Sequence, residues 1–420
     1  MTVFGVVAAG DTFRDVYFQD FTVDAQNVNA AAHLVWGSYT NADFQINVDT
    51  IETRRVNARN VPTTNGHASF QGLVLLYMNG PNGGPATSST NILLEDCDLH
   101  GGNPGFVVAA GENALAVNTY DNITIRRCRH YRGTSTAETD NNFHVGGYAQ
   151  GGRVTIEDCF GQNAADTGIE VDNATFMTVK NTIIQDAQNA SFEYRRFLAA
   201  ASVLYDEILW ENCHATAPTK AVGGNAPGTG LNDGFLIDAA GGFPIGDVSI
   251  IDCSVSRANV VAWDTDQDIL VTTPLRSLTV HNFTSREIIA DTGAVARTPV
   301  ALNISPGGGC IVDISDVLIV RSGTVSNANQ AFVGLLLNTG AVARAGVGNV
   351  TVDCSGIAGV GALKMYHTWV SGATIVTGSL HGLYLAGAGS FATSIGLRVD
   401  STASRSNIGS PRKCSRSLAL

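Results

Sequence analysis

Apolar and polar residues alternate in short runs along this chain, and one such run recurs at a nearly regular spacing. It reads apolar-x-apolar-x-(Asn/Asp), followed by Cys or another small or apolar residue, as at residues 92–97 and 154–159. Alternation with a period of two residues is typical of a β-strand with one buried face. The intervals between the last positions of its eleven copies run from 23 to 41 residues. A period in this range predicts a stacked solenoid rather than a conventional globular core.

A second strand pattern, mostly Gly-apolar-x-apolar, lies between successive copies, for example at residues 105–108, 168–171 and 234–237. Each coil therefore contains this strand, a turn, the strand before the Asn/Asp, a sharp corner and a third strand, followed by a loop of variable length. The sequence predicts an all-β fold, a parallel β-helix solenoid with three strands per coil.

The corner position has a strong residue preference, because nine of its eleven residues are Asn or Asp. Asn and Asp tolerate a left-handed backbone and hydrogen-bond to their own turn, so we interpret them as structural corner residues. The predicted corner residues are Asp20, Arg55, Asp96, Arg127, Asp158, Asn181, Asn212, Asp252, Asn282, Asp316 and Asp353.

Six of the eight cysteines follow a predicted corner residue directly. We expect them to form an interior ladder of buried, reduced thiols, because disulfides between adjacent parallel strands are geometrically awkward. No cofactor and no metal site are predicted, since zinc-type clusters of closely spaced cysteines are absent from the sequence. The six residues are Cys97, Cys128, Cys159, Cys213, Cys253 and Cys354.

The triangular coil, the Asn/Asp corner and the Gly-apolar-x-apolar strand resemble the right-handed parallel β-helices of pectate lyases, polygalacturonases and phage tailspikes. The resemblance covers roughly residues 14–400 and is specific for architecture, and a right-handed coil also agrees with the rule for parallel crossovers. It implies a carbohydrate-binding cleft along the helix and, from the tailspikes, a homotrimer. We expect one β-helix domain over residues 1–400, with a cap or lateral excursion at 27–49, followed by a mobile Ser/Arg-rich tail at 401–420.

Charge and hydropathy limit the possible binding partners and the possible cellular location of the protein. The formal net charge of -12 argues against nucleic acid as a partner, and no run of 18 apolar residues suggests a membrane span. The first ten residues lack a basic region, so they are a poor signal peptide. The resemblance nevertheless implies an extracellular or virion-surface protein.

One group of polar residues could carry chemistry, on the Gly-apolar-x-apolar strands. Read down successive coils, the positions predicted to face outwards place His144, Glu170 and Glu193 in one row, beside a second row of Asp172, Arg195 and Asp238. Asp140 and Asp166 directly precede the same strands, and Trp263 in an acidic loop could stack on a sugar ring. A solvated strand face with paired charges would have the same composition.

We interpret the chain as a polysaccharide-degrading enzyme, most simply a glycoside hydrolase, in which paired carboxyl groups act as acid and as base or nucleophile. Glu170 and Glu193 are the expected pair, with Asp172 or Asp166 as a replacement for one of them. His144 and Arg195 would orient the substrate, which would also contact Asp140, Asp238 and Trp263. A polysaccharide lyase and a non-catalytic glycan-binding fibre or adhesin are the alternatives.

Overall fold

In the computed structural model of the protein, all described regular structure is β-strand. No helix in the described part of the chain has the length and apolarity needed to cross a membrane. The described residues are 2–5, 11–24, 32–36, 46–61, 73–78, 88–101, 105–110, 118–131, 141–147, 149–164, 166–197, 206–217, 233–239, 243–260, 267–291, 298–306, 309–325, 331–338, 342–358, 364–371, 377–386 and 393–400.

The strands follow one another in chain order as β1 (Thr2–Gly5), β2 (Asp11–Asp24), β3 (Ala32–Trp36), β4 (Ile46–Val61), β5 (Leu73–Met78), β6 (Ser88–Glu95), β7 (Asp98–Gly101), β8 (Phe106–Ala110), β9 (Thr119–Arg126), β10 (Arg129–Tyr131), β11 (Phe143–Gly147), β12 (Gln150–Gly151), β13 (Arg153–Glu157), β14 (Phe160–Gln162), β15 (Ile169–Asp172) and β16 (Phe176–Lys180). They continue as β17 (Ile183–Gln185), β18 (Ala190–Arg196), β19 (Glu207–Glu211), β20 (His214–Ala217), β21 (Asp233–Ala239), β22 (Ile245–Ile251), β23 (Ser254–Val260), β24 (Ile269–Val271), β25 (Leu275–Ala290), β26 (Val300–Ile304), β27 (Cys310–Thr324), β28 (Ala331–Asn338), β29 (Val342–Ala358), β30 (Lys364–Ser371), β31 (Thr377–Ala386) and β32 (Thr393–Asp400).

The chain divides into two compact units, one of Met1–Ile208 with Ala239–Phe243 and the other of Leu209–Asp238 with Pro244–Leu420. The first sheet has the strand order β1-β3-β5-β8-β11-β15-β18 within the first unit and β21-β24-β26-β28-β30-β32 within the second. The pairings are parallel, as between β11 and β15 or β24 and β26. The expected cap or excursion at residues 27–49 contains β3, which pairs with both β1 and β5, and residues 401–420 lie outside the described part.

The predicted coil of three strands is distinct in the middle of the chain, whereas in other coils one long strand, such as β27, runs through the corner residue. In one coil of the first unit, β15 belongs to the first sheet, β16 pairs with β13 before the corner, and β17 pairs with β14 after it. Parallel pairing between successive coils, with a corner inside each coil, makes the fold a parallel β-helix. The prediction of one continuous domain over residues 1–400 stays a prediction.

The corner residues confirm the expected left-handed backbone at ten of the eleven positions. Asp158 has φ of 54° and Asn181 has φ of 49°, and even Arg127, a residue poorly suited to this region, has φ of 52°. A second left-handed position, which the sequence analysis missed, occurs five residues before the corner in four coils of the first unit, at Asp15, Thr50, Asn91 and Asn122.

The eleventh corner prediction, Asp353, is wrong. The left-handed residue of that coil is Asn349, with φ of 54°, and the next residue, Val350, pairs with Val317. The apolar alternation continues through Val352 and Cys354, so a frame shifted by four residues fits the sequence equally well. Pairing with the neighbouring coil selects one frame, so Cys354 is buried but does not continue the ladder.

The described cysteines are buried and free, which confirms the prediction of reduced thiols: Cys97, Cys128, Cys159, Cys213, Cys253, Cys310 and Cys354. Burial raises the pKa of Cys159, Cys310 and Cys354 to about 12. At neutral pH these side chains therefore behave as small apolar groups that fill a narrow interior.

The second unit also holds a buried ion cluster. The Arg257 guanidinium lies 2.6 Å from Asp268 and 2.8 Å from Glu287, and that of Arg321 lies 2.7 Å from Asp268 and 2.8 Å from Glu287. All four side chains are at most 4% exposed. Two cations balance two anions, which is the arrangement expected of a structural ion cluster.

Candidate functional site

The candidate site lies on three neighbouring strands of the first sheet in the first unit, β11, β15 and β18. His144 pairs with Glu170, and Glu170 pairs with Glu193, so the three residues occupy one row across the strands. Asp172 pairs with Arg195 two residues further on. The sequence-based register of both rows is therefore confirmed for these five residues.

The predicted exposure of the carboxyl groups is wrong. The side chains of Glu170, Asp172 and Glu193 are only 2%, 1% and 3% exposed, whereas those of His144 and Arg195 are 16% and 28% exposed. Along these positions the sheet is buried on both faces, as parallel sheets often are. Alternation separates the two faces of a strand, but it does not reveal whether the outer face is also covered.

Arg195 joins the two carboxyl groups of β15. Its Nε donates a hydrogen bond to Asp172 Oδ1 at 3.1 Å, and its Nη2 forms an ion pair with Glu170 Oε1. The guanidinium also lies 4.6 Å from the centre of the Phe197 ring. Arg195, which was predicted to orient a substrate, thus holds two buried carboxyl groups with one face of its guanidinium against an aromatic ring.

His144 reaches the same two carboxyl groups from the preceding strand. Its Nε2 lies 2.9 Å from Asp172 Oδ2 and 3.6 Å from Glu170 Oε1. The backbone N–H of Gly147 donates a second hydrogen bond to Asp172 Oδ2 at 2.9 Å. Asp172 is consequently bound by an imidazole, a guanidinium and a backbone amide.

Two residues that the sequence analysis missed complete the site. Asn141 Nδ2 donates to Glu170 Oε2 at 2.6 Å, and Thr167 Oγ1 donates to Glu193 Oε2 at 2.8 Å. The Thr167 N–H also donates to Asn141 Oδ1 at 3.1 Å, which links the two supports. Their position in the sequence could have identified them, because both residues stand just before a first-sheet strand.

The site has more acids than bases. Three almost fully buried carboxyl groups lie around Arg195, whose Nε is 3.7 Å from Glu193 Oε1. Burial raises the pKa of Asp172 well above its usual value, and it lowers the pKa of His144 to about 3, helped by the charge of Arg195. At neutral pH the imidazole is therefore neutral, and burial favours the protonated form of Asp172.

The other predicted site residues have different outcomes. Asp166 is partly buried and follows the same pattern as Asp172, because burial raises the pKa of its carboxyl group while Arg195 opposes the shift. Asp238 belongs to the second unit, where its Oδ1 accepts a hydrogen bond from Thr272 at 2.8 Å. Asp140 and Trp263 lie outside the described residues.

The geometry would allow a cation at one point. Donor atoms of His144, Glu170 and Asp172 all lie within 4.8 Å of one another. Arg195 already brings a positive charge to the oxygens of both carboxyl groups, so the protein supplies a cation here from its own chain.

Glu170 and Asp172 are two carboxyl groups in unequal environments. Glu170 accepts a hydrogen bond from the Asn141 amide and pairs with Arg195, whereas Asp172 is bound by Arg195, His144 and the Gly147 amide, and burial favours its protonated form. Two neighbouring carboxyl groups with different hydrogen-bond partners are the kind of pair in which acid and base roles can be divided.

Comparison with known proteins supports the architecture. Residues 63–226 match the family model of the right-handed β-helix region, and they include the whole His144 cluster. Neither a curated protein nor a solved structure matches the chain. The β-helix fold is compatible with proteins that bind or act on polysaccharides, and it includes polysaccharide-degrading enzymes.

Proposed function

We propose that this right-handed parallel β-helix degrades a polysaccharide and that the cluster of His144, Glu170, Asp172, Glu193 and Arg195 is its active site. The observation that carries the proposal is the charge imbalance of the cluster. The buried ion cluster of the second unit pairs two cations with two anions, whereas here three buried carboxyl groups surround one guanidinium. Burying three carboxyl groups around one guanidinium costs desolvation free energy, and acid–base catalysis is a reason to keep such a cluster.

Glycoside hydrolysis is the reaction that we favour. Asp172 would protonate the glycosidic oxygen, and ionised Glu170 would attack the anomeric carbon or activate water. One oxygen of each carboxyl group lies within 4.8 Å of the other, so the two groups are close enough to act on one glycosidic bond. Because both acids are buried, a sugar reaches them only when the Arg195 side chain swings aside.

Elimination by a lyase is the second candidate, and the exposure pattern favours it. The two members of the cluster that reach the surface are Arg195 and His144, rather than the acids. Arg195 could neutralise the carboxylate of a uronate. His144 could take the proton from the neighbouring ring carbon once a bound uronate offsets the Arg195 charge that helps to lower the pKa of the imidazole.

The test uses the full chain and a panel of neutral and acidic polysaccharides. New reducing ends without an unsaturated product indicate hydrolysis, and ultraviolet absorbance of an unsaturated uronate indicates elimination. For hydrolysis, Glu170→Gln and Asp172→Asn should each lower the rate by about 10²–10⁴-fold, while Glu157→Gln, a change outside the cluster, should leave it unchanged. Circular dichroism should confirm that each variant is folded.

Two results would contradict the proposal. Folded Glu170→Gln and Asp172→Asn variants that cleave at the wild-type rate would place the active site elsewhere. Glycan binding without any cleavage would favour the non-catalytic fibre or adhesin.

Assembly and location remain proposals that follow from the same function. A polysaccharide-degrading β-helix of the tailspike kind would act outside the cell or on a virion surface, as a homotrimer. Sedimentation of the full chain that shows a stable monomer at micromolar concentration would contradict the trimer.

A further inference from the structure

A notch in the surface of the second unit carries an inference that does not depend on the His144 cluster. In β29, Gly346 lies between Asp313 of β27 and Ser379 of β31. Two residues further on, Gly348 pairs with Ser315 on one side and with His381 on the other. Two glycines in alternate positions of the middle strand therefore leave a depression between side chains of its two neighbours.

The two glycines are needed for space and not for backbone freedom. Neither has a φ in the left-handed region, which Gly382 in the next strand does adopt. A Cβ at Gly348 would lie 2.6 Å from the His381 ring, and one at Gly346 would lie 3.4 Å from Asp313 Oδ1. Gly348 thus allows the imidazole to lie across the strand, and Gly346 keeps the floor of the notch open.

The notch is a cavity of about 240 Å³, which corresponds to roughly eight water molecules at about 30 Å³ each. Four polar side chains that line it have no hydrogen-bond partner among the residues that the structure describes: Asp313, Arg344, Ser379 and His381. They offer a carboxylate acceptor, a guanidinium donor, a hydroxyl and an imidazole within one small space.

Polar side chains on a nearby part of the same face behave differently. Arg276 Nε donates to Asp247 Oδ1 at 2.7 Å, and Ser277 Oγ donates to the same oxygen at 2.5 Å. Charged residues on this surface therefore pair across strands where the register permits. Arg344 is in register with Ile311, and Asp313 is in register with Gly346, so this pair is not satisfied in the same way.

We propose that the notch between β27 and β31 binds one residue of a saccharide. Adjacent sugar hydroxyls each donate and accept, which matches a lining of mixed donors and acceptors. A phosphate would meet the Asp313 carboxylate, and a metal cation would meet the Arg344 guanidinium. The cavity is smaller than the about 300–1,000 Å³ of pockets for drug-sized ligands, which suits a single pyranose ring.

The test is a titration of the full chain, labelled with ¹⁵N-glycine, with D-glucose, D-galactose, D-mannose, N-acetyl-D-glucosamine and D-glucuronate. The variants Gly346→Ala and Gly348→Ala assign the two amide signals by their loss. At least one sugar should shift both signals saturably, with a millimolar Kd as expected for about a dozen non-hydrogen atoms.

Gly346→Leu is the decisive variant, because its side chain fills the notch while a strand-compatible backbone is kept. It should abolish the shift of the Gly348 signal by the sugar and leave the other glycine signals in place. The proposal is overturned if no sugar shifts the two signals, if inorganic phosphate shifts them and no sugar does, or if Gly346→Leu binds the sugar as tightly as the wild type. A failure of polysaccharide cleavage at the His144 cluster would not affect this result.

Discussion

Removal of the Arg195 charge should destabilise the protein through the acids that it leaves behind. In Arg195→Met, the carboxyl groups of Glu170, Asp172 and Glu193 stay at most 3% exposed but lose their shared guanidinium. Breaking a buried ion pair typically costs about 3–5 kcal/mol. We expect a loss near the lower end of this range, about 3 kcal/mol in the free energy of unfolding. The Arg195 side chain is 28% exposed, so water already solvates part of the guanidinium.

The same variant should show a characteristic pH dependence. Without the guanidinium, the folded-state pKa of Asp172, which burial already raises, rises further above the unfolded value, so the folded state binds more protons. The free energy of unfolding then falls as the pH rises from about 4 towards the folded-state pKa, at about 1.4 kcal/mol for each unit of pKa difference. The deficit relative to wild type should therefore be large at about pH 8 and small at about pH 4.5.

Urea titrations of wild type and variant at both pH values measure the deficit. Arg195→Lys keeps the positive charge but not the planar guanidinium. Its free energy of unfolding should therefore fall by less than that of Arg195→Met. Adding Glu170→Gln to Arg195→Met removes one uncompensated charge and should restore part of the stability at high pH. The electrostatic reasoning is refuted if the deficit of Arg195→Met is equal at both pH values and Glu170→Gln does not reduce it.

Three further predictions test other parts of the structure. Thr50 has φ of 64°, a conformation that a β-branched residue tolerates poorly, so Thr50→Asn should raise the free energy of unfolding by about 1 kcal/mol, while Thr90→Asn on the adjacent strand should not. Cys159, with a pKa of about 12, should not react with a thiol reagent at pH values near 8 until the protein unfolds, and fast labelling of the folded state at this residue would contradict its burial. Because the pKa of His144 is lowered from 6.5 to about 3, the folded state binds fewer protons there, and this residue's contribution to stability is lost as the pH falls through that window. His144→Gln should therefore weaken the acid dependence of the urea midpoint between these pH values, and an unchanged dependence would contradict the assignment.

The architecture could be predicted from sequence because its determinants are local. A corner residue such as Asp158 or Asn181 carries its preference for a left-handed backbone in its own side chain, and a strand reveals its two faces through alternation within five residues. The same alternation was sufficient to align His144, Glu170 and Glu193 across three coils, because each coil repeats the strand in one register.

Only the tertiary structure determined the burial and the binding partners of those residues. The sequence cannot indicate that the outer face of the first sheet is also covered, so acids expected in water proved to be buried and bound by Arg195, Asn141 and Thr167. It also could not choose between Asn349 and Asp353 as the corner, because both frames alternate correctly and only pairing with Val317 of the previous coil separates them. Local conformational preference can therefore be predicted from the residues themselves. The burial and charge pairing of Glu170 and Asp172 depend on Asn141 and Arg195, which are more than 20 positions away and which only the coiled fold brings close.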